Sequence, residues 1–322
     1  MKRENHISQH APFGSHAHSV DQFVVNWHLT EACNYSCRYC YSRWEKSCGQ
    51  KEIFRDERYS SELLRELYRF FSPENLDNPL RSCLKWNDLR LSLAGGEPLI
   101  SPQQTLHIAS EADALGFKVS LITNASQLSR VELKPLFGSL SVLGVSLDSV
   151  EAGTCRQIGR VDKAGKILSL DDFVSVIEEA RSTNPNISLK INTVINRHNY
   201  HEDLTKAIER LRPNKWKVLK VLPVVTNELA VTEHEFQLFV ERHRHFGSVM
   251  SVENNSAMTE SYLMVDPLGR FFQNKPDIKT GDSYSYSLPI LQCGADAAFR
   301  QISFDIEKFA ARYPSFTGEV AA

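Results

Sequence analysis

The sequence lacks the features that mark membrane proteins and strongly basic nucleic-acid-binding proteins. No apolar run approaches the roughly 18 residues of a membrane span, so we expect no membrane partner. The formal net charge of the 322 residues is only −2, which gives no global attraction to nucleic acid or to anionic lipid. Hydrophobic residues make up 42% and charged residues 24%, which is typical of a globular protein with a large core.

The N-terminal segment, residues 1–19, is polar and has no apolar core of a signal peptide. It also lacks the apolar periodicity of a helix or a strand, so we predict a flexible tail and a cytoplasmic protein. Metal binding by the histidines of this tail is the less favoured alternative, and these are His6, His10, His16 and His18.

The cysteines do not indicate a disulfide framework, because there are seven of them and their spacing is not paired. Three are clustered in the motif Cys33-x-x-x-Cys37-x-x-Cys40. Three thiolates can hold three irons of a cubane iron–sulfur cluster and leave the fourth iron open for a ligand that is not protein. A structural zinc site is the alternative, but such sites use four protein ligands, and only Cys48 is close enough in sequence to complete the set. A thiolate cluster also needs a reducing compartment.

Short apolar runs alternate with amphipathic segments along the first 222 residues. The predicted strands are Phe23–Leu29, Leu89–Leu93, Lys118–Thr123, Leu143–Leu147, Leu189–Val194 and Trp216–Leu222. The predicted helices are Ser60–Phe71, Pro102–Leu115, Leu128–Phe137, Leu170–Ser182 and Tyr200–Leu211. Repetition of strand and helix predicts a parallel sheet with right-handed crossovers, and six units predict an α/β fold, a partial (β/α)6 TIM-like barrel.

The pattern changes after residue 222. We predict a helix over Glu233–His245, a hairpin of Ser261–Val265 and Arg270–Phe272, and a last helix over Asp305–Arg312. The predicted organisation is therefore a tail over residues 1–19, a barrel over residues 20–225, and a C-terminal extension over residues 226–322 that caps the barrel.

Polar residues alternate with apolar ones on four of the predicted strands, and we assign them to the lumen. Four are cations, namely Arg90, Lys190, Lys215 and Lys217. Buried cations need counter-charges, and few acids lie on the same faces. This lumen therefore predicts an anionic ligand such as a polyphosphate.

The second strand ends in Gly95-Gly96-Glu97-Pro98. Two glycines allow the backbone to approach a ligand closely, and a carboxylate suits an ammonium group. Because this turn comes one strand after the three-cysteine loop, it indicates a second part of the same site.

The cysteine motif, with Tyr39 before its last cysteine, resembles that of the radical S-adenosylmethionine superfamily when it is combined with Gly95–Pro98. The resemblance implies a [4Fe–4S] cluster on Cys33, Cys37 and Cys40. It also implies that S-adenosylmethionine binds the open iron, with its methionine end held by Gly95, Gly96 and Glu97. The barrel would then be of the radical S-adenosylmethionine type.

Further motifs are similar to those of the viperin family, over about residues 23–304. These motifs are Asn26–Thr30, Ser146–Ser149, Ile158–Arg160, Lys190–Arg197, Lys215–Val218 and Ser261–Leu263. The resemblance implies a radical dehydratase that converts a nucleoside triphosphate (CTP, UTP or GTP) to its 3′-deoxy-3′,4′-didehydro analogue. Viperins are antiviral, and the absence of the amphipathic N-terminal helix of the animal proteins indicates a prokaryotic member.

The resemblance also assigns roles to single residues. The residues that would contact S-adenosylmethionine, besides the glycine turn, are Asn124, Ser146 and Arg160. The residues that would bind the substrate are Asn26, Arg90, Ser92, Lys190, Asn192, Lys215, Lys217 and Tyr262. Tyr262 would also be the catalytic hydrogen or proton donor. Ser92 stands where animal viperins have Asn, which leaves the contacts there open. The expected partners are the triphosphate and a reducing electron donor.

Three other functions stay open from the sequence. A peptide-modifying radical enzyme commonly has further cysteine clusters near its C-terminus, whereas only Cys293 lies beyond Cys155 here. A molybdopterin-type cyclase would need a second cluster as well. A redox or metal-binding module without catalysis would not be perturbed by S-adenosylmethionine.

Overall fold

The computed structural model describes residues 17–42, 52–223, 226–274 and 284–313. Most of the predicted N-terminal tail therefore lies outside the described residues, as do three of its histidines and Cys48. The tail prediction ends two residues too late, because His18 and Ser19 already belong to the first strand.

Ten strands form one sheet in the described part of the chain. They are β1 (His18–His28), β2 (Leu84–Ala94), β3 (Lys118–Thr123), β4 (Leu140–Ser146), β5 (Ser188–Ile195), β6 (Lys215–Lys220), β7 (Met250–Glu253), β8 (Leu263–Val265), β9 (Arg270–Asn274) and β10 (Tyr284–Pro289). The order across the sheet is β10-β9-β8-β1-β2-β3-β4-β5-β6-β7. All neighbours from β8 to β7 run parallel, and β9 and β10 are antiparallel to the strands beside them.

Helices connect the strands, and several of them pack against the sheet. They are α1 (Glu57–Phe71), α2 (Pro102–Leu115), α3 (Lys134–Ser139), α4 (Ala152–Ile158), α5 (Leu170–Thr183), α6 (Thr205–Leu211), α7 (Glu233–Arg242), α8 (Asn255–Met258), α9 (Ile290–Cys293), α10 (Ala295–Phe299) and α11 (Ile306–Arg312). Among the described residues, no helix combines the length and the apolar character needed to cross a membrane.

Polar and apolar side chains alternate along the strands as the sequence predicts. Apolar positions such as Trp27, Leu91, Ile191 and Trp216 are fully buried in the main hydrophobic core. The polar positions between them stay in register across neighbouring strands, so that Asn26 pairs with Ser92, Lys190 with Lys215, and Asn192 with Lys217. A band of polar side chains therefore follows the inner face of the sheet.

Six predicted strands are confirmed, and two helices begin later than predicted. The prediction for α3 is wrong because Pro135 lacks a backbone N–H and fits only the first turn of a helix, so the helix begins at Lys134. The prediction for α6 is wrong because the side chains of Asn196 and Asn199 hold the residues that precede the helix in turns. Asn199 Nδ2 donates to the carbonyl oxygens of Asp148 at 2.8 Å and of Val194 at 2.9 Å.

The C-terminal segment adds to the sheet at both sides. β7 extends it beyond β6, and β8 pairs with β1 in parallel, so the barrel has two more parallel strands than the six predicted units. The last helix, α11, contacts β1. The division into a barrel over residues 20–225 and an extension over residues 226–322 stays a prediction.

Candidate active site

The three clustered cysteines lie in the loop that follows β1, at the carboxyl end of the parallel strands. All three are partly exposed and free of disulfide bonds. The backbone of the loop is tied to the end of α4, since Ser36 N donates to Gly159 O at 3.3 Å and Arg38 N donates to Ile158 O at 3.0 Å. A Cβ on Gly159 would lie 2.3 Å from Ser36 O, so the close approach requires glycine.

The three thiols are the donor set of a [4Fe–4S] cluster with one iron left open. Within the described ranges, no three His, Cys, Asp or Glu side chains converge as ligands of one ion would. Three cysteines that each bind a different iron of a cubane stand farther apart than ligands of one ion. Cys48, the residue that could complete a four-ligand zinc site, lies outside the described residues.

Arg160 provides positive charge beside the thiols. Burial raises the pKa of Cys33 to about 11 and that of Cys37 to about 12, whereas the Arg160 cation acts in the opposite direction on both. Cluster binding needs deprotonated thiols, so this cation favours the bound form.

The glycine turn after β2 packs against the cysteine loop. Gly96 N donates to Thr30 O at 2.6 Å, and Glu97 N donates to Ala32 O at 2.9 Å. A Cβ on Gly96 would lie 2.1 Å from Ala32 O, and Gly95 has a φ of 131°. The glycines therefore allow two protein backbones to approach each other, a reason the sequence did not reveal.

Glu97 is fully buried, and its carboxylate contacts protein donors. It accepts hydrogen bonds from Thr123 Oγ1 at 2.7 Å, from Asn124 N at 2.7 Å and from Leu99 N at 3.1 Å. Burial raises the pKa of this carboxyl, and the three donors act in the opposite direction. In this structure Glu97 joins the end of β2 to the end of β3.

The three residues predicted to contact S-adenosylmethionine lie around the same loop. Asn124 Nδ2 is 3.8 Å from Cys33 Sγ and donates to Asn34 Oδ1 at 2.9 Å. Arg160 Nη2 donates to the Ser146 carbonyl at 2.6 Å, and Arg160 Nη1 lies 3.2 Å from Asp148 Oδ2. The site therefore brings Asn124, Ser146 and Arg160 to the edge of the cysteine loop.

Asp148 links this loop to the sheet. Its carboxylate accepts from Tyr39 Oη, from the backbone N–H of Val194 at 2.7 Å, and pairs with Arg160. The sequence contained a signal for Asp148, since it lies within the Ser146–Ser149 motif, but it did not indicate these partners.

The predicted lumen cations come together on the inner face of β2, β5 and β6. Burial, followed by the neighbouring charges of Lys217, Arg90 and Lys215, lowers the pKa of Lys190 well below its usual value. The side-chain amine of Lys190 forms no hydrogen bond or ion pair with any residue that the structure describes. Burial also lowers the pKa of Lys217 to about 7, although Glu253 acts in the opposite direction.

One carboxylate, Glu253 on β7, lies among these cations. It forms ion pairs with Lys217 and with Arg312 of α11, whose Nη2 lies 3.0 Å from Glu253 Oε2. Burial would raise the pKa of Glu253, but Lys217 and Arg312 outweigh burial and lower it to about 2. Glu253 is therefore the counter-charge that the sequence did not reveal, and it lies outside the six predicted strands.

Tyr262 lies in the same network. Its hydroxyl donates to Glu253 and accepts from Lys217 Nζ at 2.8 Å, and the Arg312 guanidinium lies 3.7 Å from its ring centroid. Burial and the Glu253 carboxylate raise the pKa of Tyr262 well above its usual value. The phenol therefore keeps its proton at neutral pH and can donate it.

Arg90 and Asn26 complete the polar face near the end of α11. The Arg90 guanidinium lies 5.7 Å from the Tyr313 ring centroid, and its Nε has no hydrogen-bond partner in the described part of the chain. Asn26 Nδ2 donates to Leu263 O at 3.2 Å, which joins β1 to β8. Ser92 is buried beside Asn26 in register on β2.

Sequence reasoning missed Glu253, Arg312 and Tyr313. Arg312 and Tyr313 stand at the end of a predicted helix, and Glu253 stands in a short strand with no strong pattern of its own. Arg312 and Glu253 are 59 residues apart in sequence, so no local motif could have paired them.

Comparison with known proteins agrees with this geometry. A family profile described as the Radical SAM superfamily matches residues 27–211. A solved structure described as native anSMEcpe with bound AdoMet has a TM-score of 0.62 at 14% identity, covering 89% of this chain and 84% of that chain. At this identity the likeness concerns the fold alone. The predicted fold class is thereby confirmed.

Two curated relatives match over nearly the whole chain. An S-adenosylmethionine-dependent nucleotide dehydratase of Pseudoalteromonas ulvae is 39% identical over 300 residues, which cover 93% of this chain and 96% of that protein. A protein of the same name from Psychrobacter lutiphocae is 39% identical over 292 residues, which cover 91% of this chain and 95% of that protein.

Proposed function

Because this chain belongs to the radical S-adenosylmethionine superfamily and, within it, to the viperin-like S-adenosylmethionine-dependent nucleotide dehydratases, we propose that it dehydrates a nucleoside triphosphate. The product is the 3′-deoxy-3′,4′-didehydro nucleotide of CTP, UTP or GTP. Such a product terminates chain synthesis by polymerases, which would serve defence against phage. The enzyme is a carbon–oxygen lyase, and its family uses a [4Fe–4S] cluster and S-adenosylmethionine.

When bound, the cluster and S-adenosylmethionine would supply a 5′-deoxyadenosyl radical, with an electron from an external donor. Cys33, Cys37 and Cys40 would hold three irons of the cluster. The glycine turn (Gly95, Gly96 and Glu97) and the edge residues Asn124, Ser146 and Arg160 would hold and orient S-adenosylmethionine. A reducing cytoplasm would keep the thiols available, and the six described cysteines are free.

The single observation that carries this proposal is the cluster of four cations inside a barrel whose rim carries the cysteine loop. Lys217 is buried, and Arg90, Lys190 and Lys215 are partly buried. Cations in a buried polar lumen bind phosphate groups with little competition from water. Holding the triphosphate there would fix the ribose relative to the rim, which is the main requirement for a directed radical reaction.

The remaining polar residues would act on the ribose. Asn26, Ser92 and Asn192 lie on the inner face and would contact the sugar or the phosphates. Tyr262 would donate a hydrogen atom or a proton, because its buried phenol stays protonated at neutral pH. In the substrate, the C4′–H and C3′–O bonds would break and a C3′=C4′ double bond would form. The 4′ hydrogen atom would go to 5′-deoxyadenosine, the 3′ hydroxyl would take up a proton and leave as water, and the external donor would supply the one electron that balances the step.

The test is anaerobic incubation of the reconstituted protein with S-adenosylmethionine, a reductant and each nucleoside triphosphate separately. We expect one of CTP, UTP and GTP to stimulate formation of 5′-deoxyadenosine above the level without nucleotide. Deuterium placed at C4′ of that nucleotide should appear in 5′-deoxyadenosine. Absence of stimulation by all three, or transfer from another ribose position, would contradict the proposal.

A further inference from the structure

The ten-stranded sheet ends at β7 on one side and at β10 on the other. Side chains connect the free edge of β7 to the segment just before β8, and we call this junction the seam. Within the described ranges β7 pairs with β6 alone, and β8 pairs with β1 and β9. Side chains cross the seam where backbone pairing is absent. Arg312 of α11 donates to Glu253 on β7 and, through Nη1, to the Ser261 carbonyl at 2.7 Å, just before β8.

Glu253 is the common partner of three elements at the seam. Its carboxylate contacts Lys217 on β6, Arg312 on α11 and Tyr262 just before β8. Both carboxylate oxygens are used, since Arg312 Nε lies 3.2 Å from Oε1 and Nη2 lies 3.0 Å from Oε2. Removal of this carboxylate would leave two cations without their shared counter-charge.

The charge around Lys217 is otherwise positive. The neighbouring cations are Lys215 on the same strand, Lys190 on β5 and Arg312 on α11. The groups that contact the Lys217 amine are the Glu253 carboxylate and the neutral phenol of Tyr262. Burial and the neighbouring cations each disfavour a charged amine at this position. Glu253 opposes both effects, and the hydrogen bond to Tyr262 fixes the direction of the amine.

We propose that Glu253 is the positioning residue of the phosphate-binding cluster, which consists of Arg90, Lys190, Lys215 and Lys217. Its carboxylate keeps Lys217 both in place and charged for an incoming triphosphate. The proposal rests on the proposed function, in which the lumen cations hold the triphosphate. Lys217 has three donors, of which one points to Glu253 and one to Tyr262, so a third is left for a phosphate oxygen. Glu253 itself need not touch the substrate.

The test measures the affinity of the reconstituted holoenzyme for CTP, UTP and GTP by calorimetry over a range of pH. In the wild type, affinity should fall as pH rises and Lys217 loses its proton. Glu253→Gln keeps the size of the side chain and removes its charge. We expect it to weaken binding about tenfold at neutral pH and to move the midpoint of the pH profile down by about one unit.

Two further variants separate charge from structure. Lys217→Arg keeps a positive charge at any pH used, so Glu253→Gln in that background should leave the pH profile unchanged. Glu253→Asp keeps the charge and should retain the wild-type midpoint of the pH profile of binding. This variant also tests the proposal if Glu253→Gln fails to fold. Glu202→Gln is the matched control, since Glu202 is a carboxylate with 9% exposure outside this cluster.

Each outcome decides the role of Glu253. Equal weakening by Glu253→Gln at every pH would mean that Glu253 only supports the fold, and tighter binding would mean that it competes with the substrate. Either result overturns the proposal. A wild type that binds S-adenosylmethionine but none of the three triphosphates would instead overturn the proposed function, and the role of Glu253 would fall with it.

Discussion

The cysteine loop is held mainly by backbone contacts, whereas the phosphate-binding cluster is held by side chains from distant elements. Gly96 N and Glu97 N bond to carbonyl oxygens at residues 30 and 32, and Gly159 meets residue 36. In the cluster, by contrast, the Glu253 carboxylate forms ion pairs with Lys217 of the neighbouring strand and with Arg312 of α11.

The difference between these two regions has an energetic reason. Backbone contacts through glycine fix a loop without burying charge, so the loop can be specified by short motifs. A cluster of buried cations is unfavourable by itself and depends on whichever counter-charge the fold places nearby. The loop should therefore respond to steric changes, and the cluster to changes of charge and pH.

The largest expected effect is that of removing one cysteine of the loop. Cys37→Ala should abolish stimulated formation of 5′-deoxyadenosine, because two thiolates cannot hold the cluster. Iron and sulfide content after reconstitution measures this directly. Cys83→Ala, a free and partly exposed cysteine elsewhere, is the matched control and should keep wild-type iron content. Full iron content in Cys37→Ala would mean that another residue serves as ligand.

A change of charge in the phosphate-binding cluster should weaken binding of the triphosphate and leave binding of S-adenosylmethionine unchanged. Lys190→Met should weaken triphosphate binding by about 2–3 kcal/mol, or roughly 30- to 150-fold, and leave S-adenosylmethionine binding unchanged. Without ligand, the same variant should melt at an equal or higher temperature, because it removes a buried cation that repels its neighbours.

The matched control is Lys220→Met, since Lys220 lies at the end of the neighbouring strand β6 and pairs with the exposed Glu233. Its triphosphate affinity should stay near that of the wild type. A lower melting temperature for Lys190→Met, with unchanged triphosphate affinity, would mean that Lys190 stabilises the fold and does not bind the triphosphate.

A steric change in the glycine turn should act on the cysteine loop. Gly96→Ala should cost about 1–3 kcal/mol, because its Cβ would lie 2.1 Å from Ala32 O and push the loop away. Chemical denaturation measures the free energy of unfolding, and iron content should fall with it. Gly153→Ala is the control, since a Cβ there meets nothing within 4 Å. Equal stability of the two variants would show that the close approach is not required.

The smallest expected effect is a dependence of stability on pH. The folded pKa of Lys217 is lowered to about 7 from the usual 10.5, so the unfolded chain holds a proton that the folded chain has lost between these values. The free energy of unfolding should therefore gain up to about 1.4 kcal/mol per pH unit from this residue between about pH 7 and about pH 10.5. Lys217→Met should remove that gain, and denaturation of both proteins at several pH values measures it. Identical slopes would mean that Lys217 keeps its proton throughout.

The sequence by itself determined the fold class, the cysteine loop, the glycine turn and the lysines of the inner face. These features depend on short-range patterns: alternation along a strand, spacing within a loop and the special conformations of glycine. Only the tertiary structure decided the partners of Glu97 and the position of Glu253, Arg312 and Tyr313. Their contacts join residues far apart in the chain, and the electrostatic energy of a buried group depends on distances that no local pattern encodes.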